Sequence, residues 1–258
     1  MAKKLVFSFY LSEKTYTQYT NELHFKSLSE FCNIFDEATI TILKDDDVSD
    51  ELLLECKNRF VSIFLNCKKI SINILPNSNF REAIVFYNEI VLKLGADDLV
   101  FFGHNKGTTN INHSKEQIST WILGMHFFNL FYINEVEKCL HADKFASYGA
   151  YQTLNSTINN KYKWSYMGTF FWINSKRLYN YLKCENMFIP ELDGRFYAED
   201  FLGNILPAWP CQNAGSHDVS YIRNAEDYYR KAKHYTNVCY GNVPEFEEFY
   251  KKITNENY

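Results

Sequence analysis

The sequence predicts an α/β fold: a Rossmann-like mixed sheet flanked by helices. Three observations carry this. Four short β-branched or aromatic runs recur within the first hundred residues. Amphipathic helical stripes alternate with them. Strand, helix, strand, in strict succession, implies parallel pairing through right-handed crossovers. The 258 residues allow one large domain or two small ones. No linker-like stretch or internal repeat divides them. A single domain over 1–258 is therefore expected, with a regular βα half, 1–112, and a more irregular half, 113–258.

The elements follow in order. Leu5 to Leu11 reads as a buried first strand. Leu28, Phe31, Cys32 and Phe35 recur at i, i+3, i+4 and i+7, a helical stripe. Thr39 to Leu43 is β-branched and bounded by Asp45-Asp46-Asp47, so it reads as the second strand. Ser49 suits an N-cap for a helix carrying Leu53, Cys56, Phe60 and Ile63. Ile70 to Leu75 forms a third strand, stopped by Pro76. Asn79-Phe80-Arg81-Glu82 approximates a capping box, and the stripe Ala83, Tyr87, Ile90 and Leu94 follows, with Gly95 placed at C′. Leu99 to Phe102 is a fourth strand. Beyond it, Ser114 to Gln117 opens a long helix, and Asn134 to Glu137 begins a shorter one. Tyr148 to Leu154 and Met167 to Ile173 read as strands. Asn174 caps a helix, Glu199 to Leu206 forms another, and Pro244 starts the last.

Composition narrows the function. Hydrophobic residues make up 46% and charged residues 22%, the balance of a soluble globular chain. Lys and Arg number 27 against 31 Asp and Glu, a net charge of −4 that argues against a general nucleic-acid binder. No run approaches the roughly 20 apolar residues that span a bilayer. The seven cysteines form no CxxC pair and no zinc-like spacing, which points to free thiols and a cytoplasmic location.

Three segments carry candidate chemistry. In an open parallel sheet, ligands sit beyond the carboxyl ends of the strands. That rim takes in the end of the first strand near Tyr10, Asp45 after the second, and Gly103-His104-Asn105-Lys106-Gly107 after the fourth. The last segment offers backbone N–H groups, a fixed cation and hydroxyls, the groups that hold a diphosphate; its other reading is a surface turn. It is neither a Walker A loop nor part of a GxGxxG site. In Tyr166 to Asn174, Gly168 permits close approach and Trp172 offers a stacking face for a sugar, unless the run is simply a buried aromatic strand. In Tyr197 to Phe201, Glu199 and Asp200 diverge by about 100° on a helix, so only one faces a given site. Two acids at a helix start also serve as dipole partners.

These motifs in this order (His-x-Lys-Gly, Gly-Thr-Phe-Phe-Trp, Ala-Glu-Asp) resemble a family of bacterial glycosyltransferase-like proteins with a GT-A-type fold. The resemblance covers roughly Leu99 to Leu206 and implies a hexosyltransferase-like enzyme that takes a nucleotide-sugar donor, with UDP favoured, and a hydroxyl acceptor, as in surface polysaccharide synthesis. A non-catalytic nucleotide- or carbohydrate-binding protein on the same fold is the alternative. On this reading Tyr10 and Asp45 hold the nucleoside. His104, Lys106 and Gly107 form the diphosphate and sugar floor, with Asn105 also binding substrate. Arg81, at a helix start on the rim, contacts diphosphate or sugar, unless it is simply a surface residue there. Gly168, Thr169 and Trp172 shape the boundary between donor and acceptor. Glu199 or Asp200 deprotonates the acceptor, with His104 the next candidate base. The Asp-x-Asp metal motif of most GT-A enzymes is replaced here by His104-Asn105-Lys106, so Lys106 is expected to neutralise the diphosphate. A Mn²⁺ or Mg²⁺ ion stays open as a cofactor, with His217 at the diphosphate or metal.

Overall fold

The alternation of the first half is realised strand by strand. The computed structural model describes residues 1–105, 114–141, 145–150, 152–154, 164–166, 168–186, 191–192, 194, 197–206, 211–213 and 243–255. Strands β1 (Ala2–Leu11), β2 (Glu37–Lys44), β3 (Lys69–Pro76) and β4 (Asp98–His104) are linked by helices α1 (Tyr19–Phe31), α2 (Asp50–Ile63) and α3 (Glu82–Glu89). β1 pairs in parallel with β2 and β4, and β2 with β3. Then come α4 (Lys115–Leu130), α5 (Ile133–His141), β5 (Ser147–Gly149), β6 (Gln152–Leu154), β7 (Trp164–Tyr166), β8 (Phe171–Asn174), α6 (Ser175–Cys184), α7 (Tyr197–Ile205), β9 (Cys211–Asn213) and α8 (Pro244–Thr254). Among the described residues the main sheet runs β3-β2-β1-β4-β8-β5-β9, and β6 and β7 form a separate ribbon. β8 lies antiparallel to both β4 and β5, so the sheet is mixed.

Period-2 alternation sends the side chains of each strand to two cores. Leu5, Phe7, Phe9 and Leu11 enter one, with α1, α2, α4, α5 and α8. Val6, Val100 and Phe102 enter the other, under α3, α6 and α7. Both faces of the sheet are thus covered, as parallel strands require. Local signals hold at several boundaries. Ser49 Oγ accepts the Leu52 N–H at 3.3 Å, and Asn174 Oδ1 accepts the Arg177 N–H at 3.0 Å. Pro244 lies in the first turn of α8. Gly95 takes φ +109°.

Other expectations are corrected. The segment Tyr148 to Leu154 splits between the main sheet and the ribbon. The strand expected from Met167 begins only at Phe171, because Gly168 and Thr169 both have positive φ. No side-chain cap forms from Asn79: Arg81 itself occupies the N-cap of α3, at φ 41°. Cys32, Cys56, Cys67, Cys139 and Cys184 are free. Among the described residues no helix is long and apolar enough to cross a membrane.

Candidate functional site

Strand order locates the crevice. From β1 the chain moves outward through β2 to β3, then crosses back to β4 on the other side of β1. The order therefore reverses between β1 and β4, and their carboxyl ends flank the opening where such sheets bind ligands. Tyr10 lies at the end of β1, and His104 and Asn105 at the end of β4.

Asn105 bridges the two strands. Its Oδ1 accepts the Tyr10 N–H at 2.7 Å, and its Nδ2 donates to Tyr10 O at 2.8 Å and to Asn21 Oδ1 at 2.9 Å. Asn21, buried on α1, passes the link on by donating to Thr15 O at 2.7 Å. Both amide protons of Asn105 are thereby used. The residue expected to hold a sugar or diphosphate is instead a strut, 5% exposed.

Next to the strut is a polar cluster from three strand ends. Tyr10 Oη donates to Asp45 Oδ2 at 2.5 Å, and Asn77 Nδ2 donates to Asp45 Oδ1 at 2.7 Å. The Arg81 guanidinium carbon lies 5.9 Å from the centroid of the Tyr10 ring, within cation–π range. Burial, and then the hydrogen bond to Asp45, push the Tyr10 phenol above its ordinary range, so it stays protonated and donates. Tyr10, Asp45 and Arg81 are brought together as the sequence predicts. Asn77 was not foreseen; its only signal is its place immediately after the strand-stopping Pro76.

The opposite wall is the turn before β8. His104 Nε2 donates to Gly168 O at 3.0 Å. Gly168 has φ 80°, and a Cβ there would collide with Met125 Sδ. Thr169 follows at φ 61° and is buried. Four described non-glycine residues have positive φ. Asn186 and Asn255 follow the ends of helices α6 and α8, where asparagine accepts this conformation readily. The other two, Arg81 and Thr169, both border the crevice, and strained backbone of this kind collects at binding sites.

Phe170 turns inward beneath this wall. Its ring lies 6.0 Å from His104, 6.2 Å from His24 and 5.0 Å from His126. His24 Nδ1 and His126 Nε2 are 2.9 Å apart, sharing one hydrogen bond in a buried pair that the sequence did not signal. Burial, and then the charge of His24, hold the His126 imidazole well below its ordinary range.

Trp172 is a correction. It is fully buried, donates its indole N–H to Asn129 O at 2.8 Å, and stacks on Phe35 at 5.8 Å. No face remains for a sugar. Glu199 and Asp200 lie on α7, which packs on β7 and α3; their side chains are outside the described residues. Lys106, Gly107 and His217 are outside them altogether. Among the described residues no three His, Cys, Asp or Glu side chains converge on a metal position. A cleft of about 300 Å³ between Lys3, Phe31, Asn134 and Glu137 belongs to the opposite, amino-terminal end of the sheet. Comparison with protein-family models and with curated protein sequences gives no match.

Proposed function

We propose that the chain is a GT-A-like glycosyltransferase that takes a nucleotide-sugar donor, UDP-linked by preference, in the crevice between β1 and β4. The observation that carries this is the convergence of Tyr10, Asp45, Asn77 and Arg81 at the carboxyl ends of β1, β2 and β3, beside that crevice. Asp45 and the Tyr10 ring hold the nucleoside: a carboxylate accepts from a base or ribose, and an aromatic ring stacks. Arg81 and Lys106 meet the diphosphate charge. His104 acts as a positioning residue that holds the Gly168 carbonyl and with it the turn. Asp200 or Glu199 serves as general base toward the acceptor hydroxyl if the transfer inverts the anomeric carbon.

A nucleoside diphosphate at a hundred times its Kd stabilises the fold by about 2.7 kcal/mol. Thermal melts against millimolar UDP, GDP and ADP, followed by donor-hydrolysis assays, test the reading. No shift with any of them sinks it. A shift without hydrolysis or transfer to any acceptor favours a binding protein on the same site.

A further inference from the structure

Among the described residues β3 ends the sheet with one side unpaired. It is eight residues long, and Ile70 to Pro76 carries no charge. Natural edge strands are blunted by an inward charge, a bulge, a central proline or a covering element. Here the lysine is the first residue, the proline the last, and the strand is partly or fully exposed throughout, with Ile74 at 40%. Such an edge is a template for another strand.

Helix α2 adds a second observation on the same side. Cys56, Phe60 and Phe64 face the sheet and are buried. Arg59 faces α1, where it meets Glu22 Oε2 at 2.9 Å and Phe25 at 3.8 Å. At 100° per residue, Leu54 and Val61 point roughly 140–160° away from Arg59, towards the outside of β3, and Leu65 follows in the turn just past the end of α2. Leu54, Val61 and Leu65 are 58%, 42% and 75% exposed, an apolar stripe with no partner among the described residues.

We propose that a second copy of this chain covers both features, making a two-fold dimer in which the β3 edges pair and the α2 stripes lie side by side. Across a two-fold axis the two strands run antiparallel, so each backbone edge complements itself. The same axis sets exposed Lys69, at the start of one β3, beside exposed Asp46 and Asp47, next to the end of the other. Eight residues span about 26 Å, and a strand layer plus a helix layer is about 20 Å wide. That buries on the order of 500 Å² per copy, about 1,000 Å² in all, the lower bound for a specific interface. The dimer is therefore weak, with a dissociation constant of roughly micromolar or higher.

Sedimentation velocity from about 1 to 200 µM tests this, a range set by that affinity. The wild-type mass should rise from 30.5 kDa towards twice that value. Val61→Lys/Leu65→Lys and, separately, Ile74→Lys should weaken association at least about tenfold, the effect of burying an unpaired charge. Leu92→Lys, a comparably exposed leucine in the turn after α3, next to Val91 of the opposite core, should associate as wild type. Circular dichroism confirms that each variant is folded. A wild-type chain that stays monomeric throughout, or α2 and β3 variants that associate like Leu92→Lys, overturns the proposal.

Discussion

Asn105→Ala is the sharpest test of the crevice. The substitution removes one acceptor and two donors at the point where β1 and β4 part. Three polar groups lose their partner: Tyr10 N–H, Tyr10 C=O and Asn21 Oδ1. Each buried group left unsatisfied costs about 1–3 kcal/mol. Asn21 is fully buried and bears the full cost, whereas half-exposed Tyr10 recovers part of its share from water. The expected loss is about 2–5 kcal/mol, a large fraction of the stability of an ordinary domain. Asn105→Asp should do no better at neutral pH. It keeps an acceptor for the Tyr10 N–H but turns oxygen towards Tyr10 O and Asn21 Oδ1. Asn77→Ala, at a half-exposed strand end, should cost under about 1 kcal/mol. Urea unfolding, with equal slopes across variants, measures all three. A loss below about 0.5 kcal/mol for Asn105→Ala would falsify the strut, and ligand contact would then be the better account of its amide.

Four other outcomes follow from the same geometry. Gly168→Ala should lose about 2–4 kcal/mol, since the methyl meets Met125 and the backbone stays at positive φ; a wild-type melting temperature would mean the turn relaxes freely. The folded state holds His126 neutral, below its unfolded value, so its contribution is complete above about pH 6.5 and declines as pH falls, by up to about 1.4 kcal/mol per unit for one proton. His126→Gln should flatten that limb between pH 6.5 and 5, and an unchanged slope would assign the acid sensitivity elsewhere. Tyr10→Phe removes the donor to Asp45 and should weaken UDP binding several-fold in calorimetry with the fold intact; equal affinity would place the nucleoside away from Asp45. Of Glu199→Gln and Asp200→Asn, one should lower turnover about 10²–10⁴-fold while nucleotide affinity holds; full turnover in both would make the α7 acids structural.

The regular half, and several helix starts beyond it, were legible because each local rule agreed with the next. The buried runs, the Ser49 and Asn174 caps and the Pro244 start describe short-range chemistry and survive into the structure. The stripes through Cys32 and Phe35, and through Ile90 and Leu94, outrun their α-helices, which end at Phe31 and Glu89 and pass into 3₁₀ turns. The misreadings came from long-range context. Phe171 and Trp172 alternate as strand residues do, but β8 is covered on both faces, so neither side chain reaches solvent. An indole in such a strand looks the same in sequence whether it stacks on a sugar or donates to Asn129. Arg81 was foreseen at a helix start, but not its φ of 41°, which depends on how the chain leaves β3. The His24–His126 pair joins residues 102 positions apart and has no local signature.

The reversal of strand order explains why polar residues at the crevice divide into two kinds. Beyond the last shared ladder bonds, β1 and β4 still present backbone N–H and C=O groups that point across the gap. A buried side chain must satisfy them or the strands fray. Asn105 does so, helped by Asn21, and His104 does the same for the turn before β8. These residues cannot release their bonds to a ligand without loosening the walls that hold it. Recognition therefore falls to groups one layer further out. The Tyr10 ring, the Asp45 carboxylate and the Arg81 guanidinium retain partial exposure. If the crevice binds a nucleotide, substitutions in the inner set should lower stability and affinity together, whereas substitutions in the outer set should lower affinity at nearly constant stability. Inner-set variants that weaken binding at unchanged melting temperature would erase that division, and Asn105 and His104 would then belong to the contact surface.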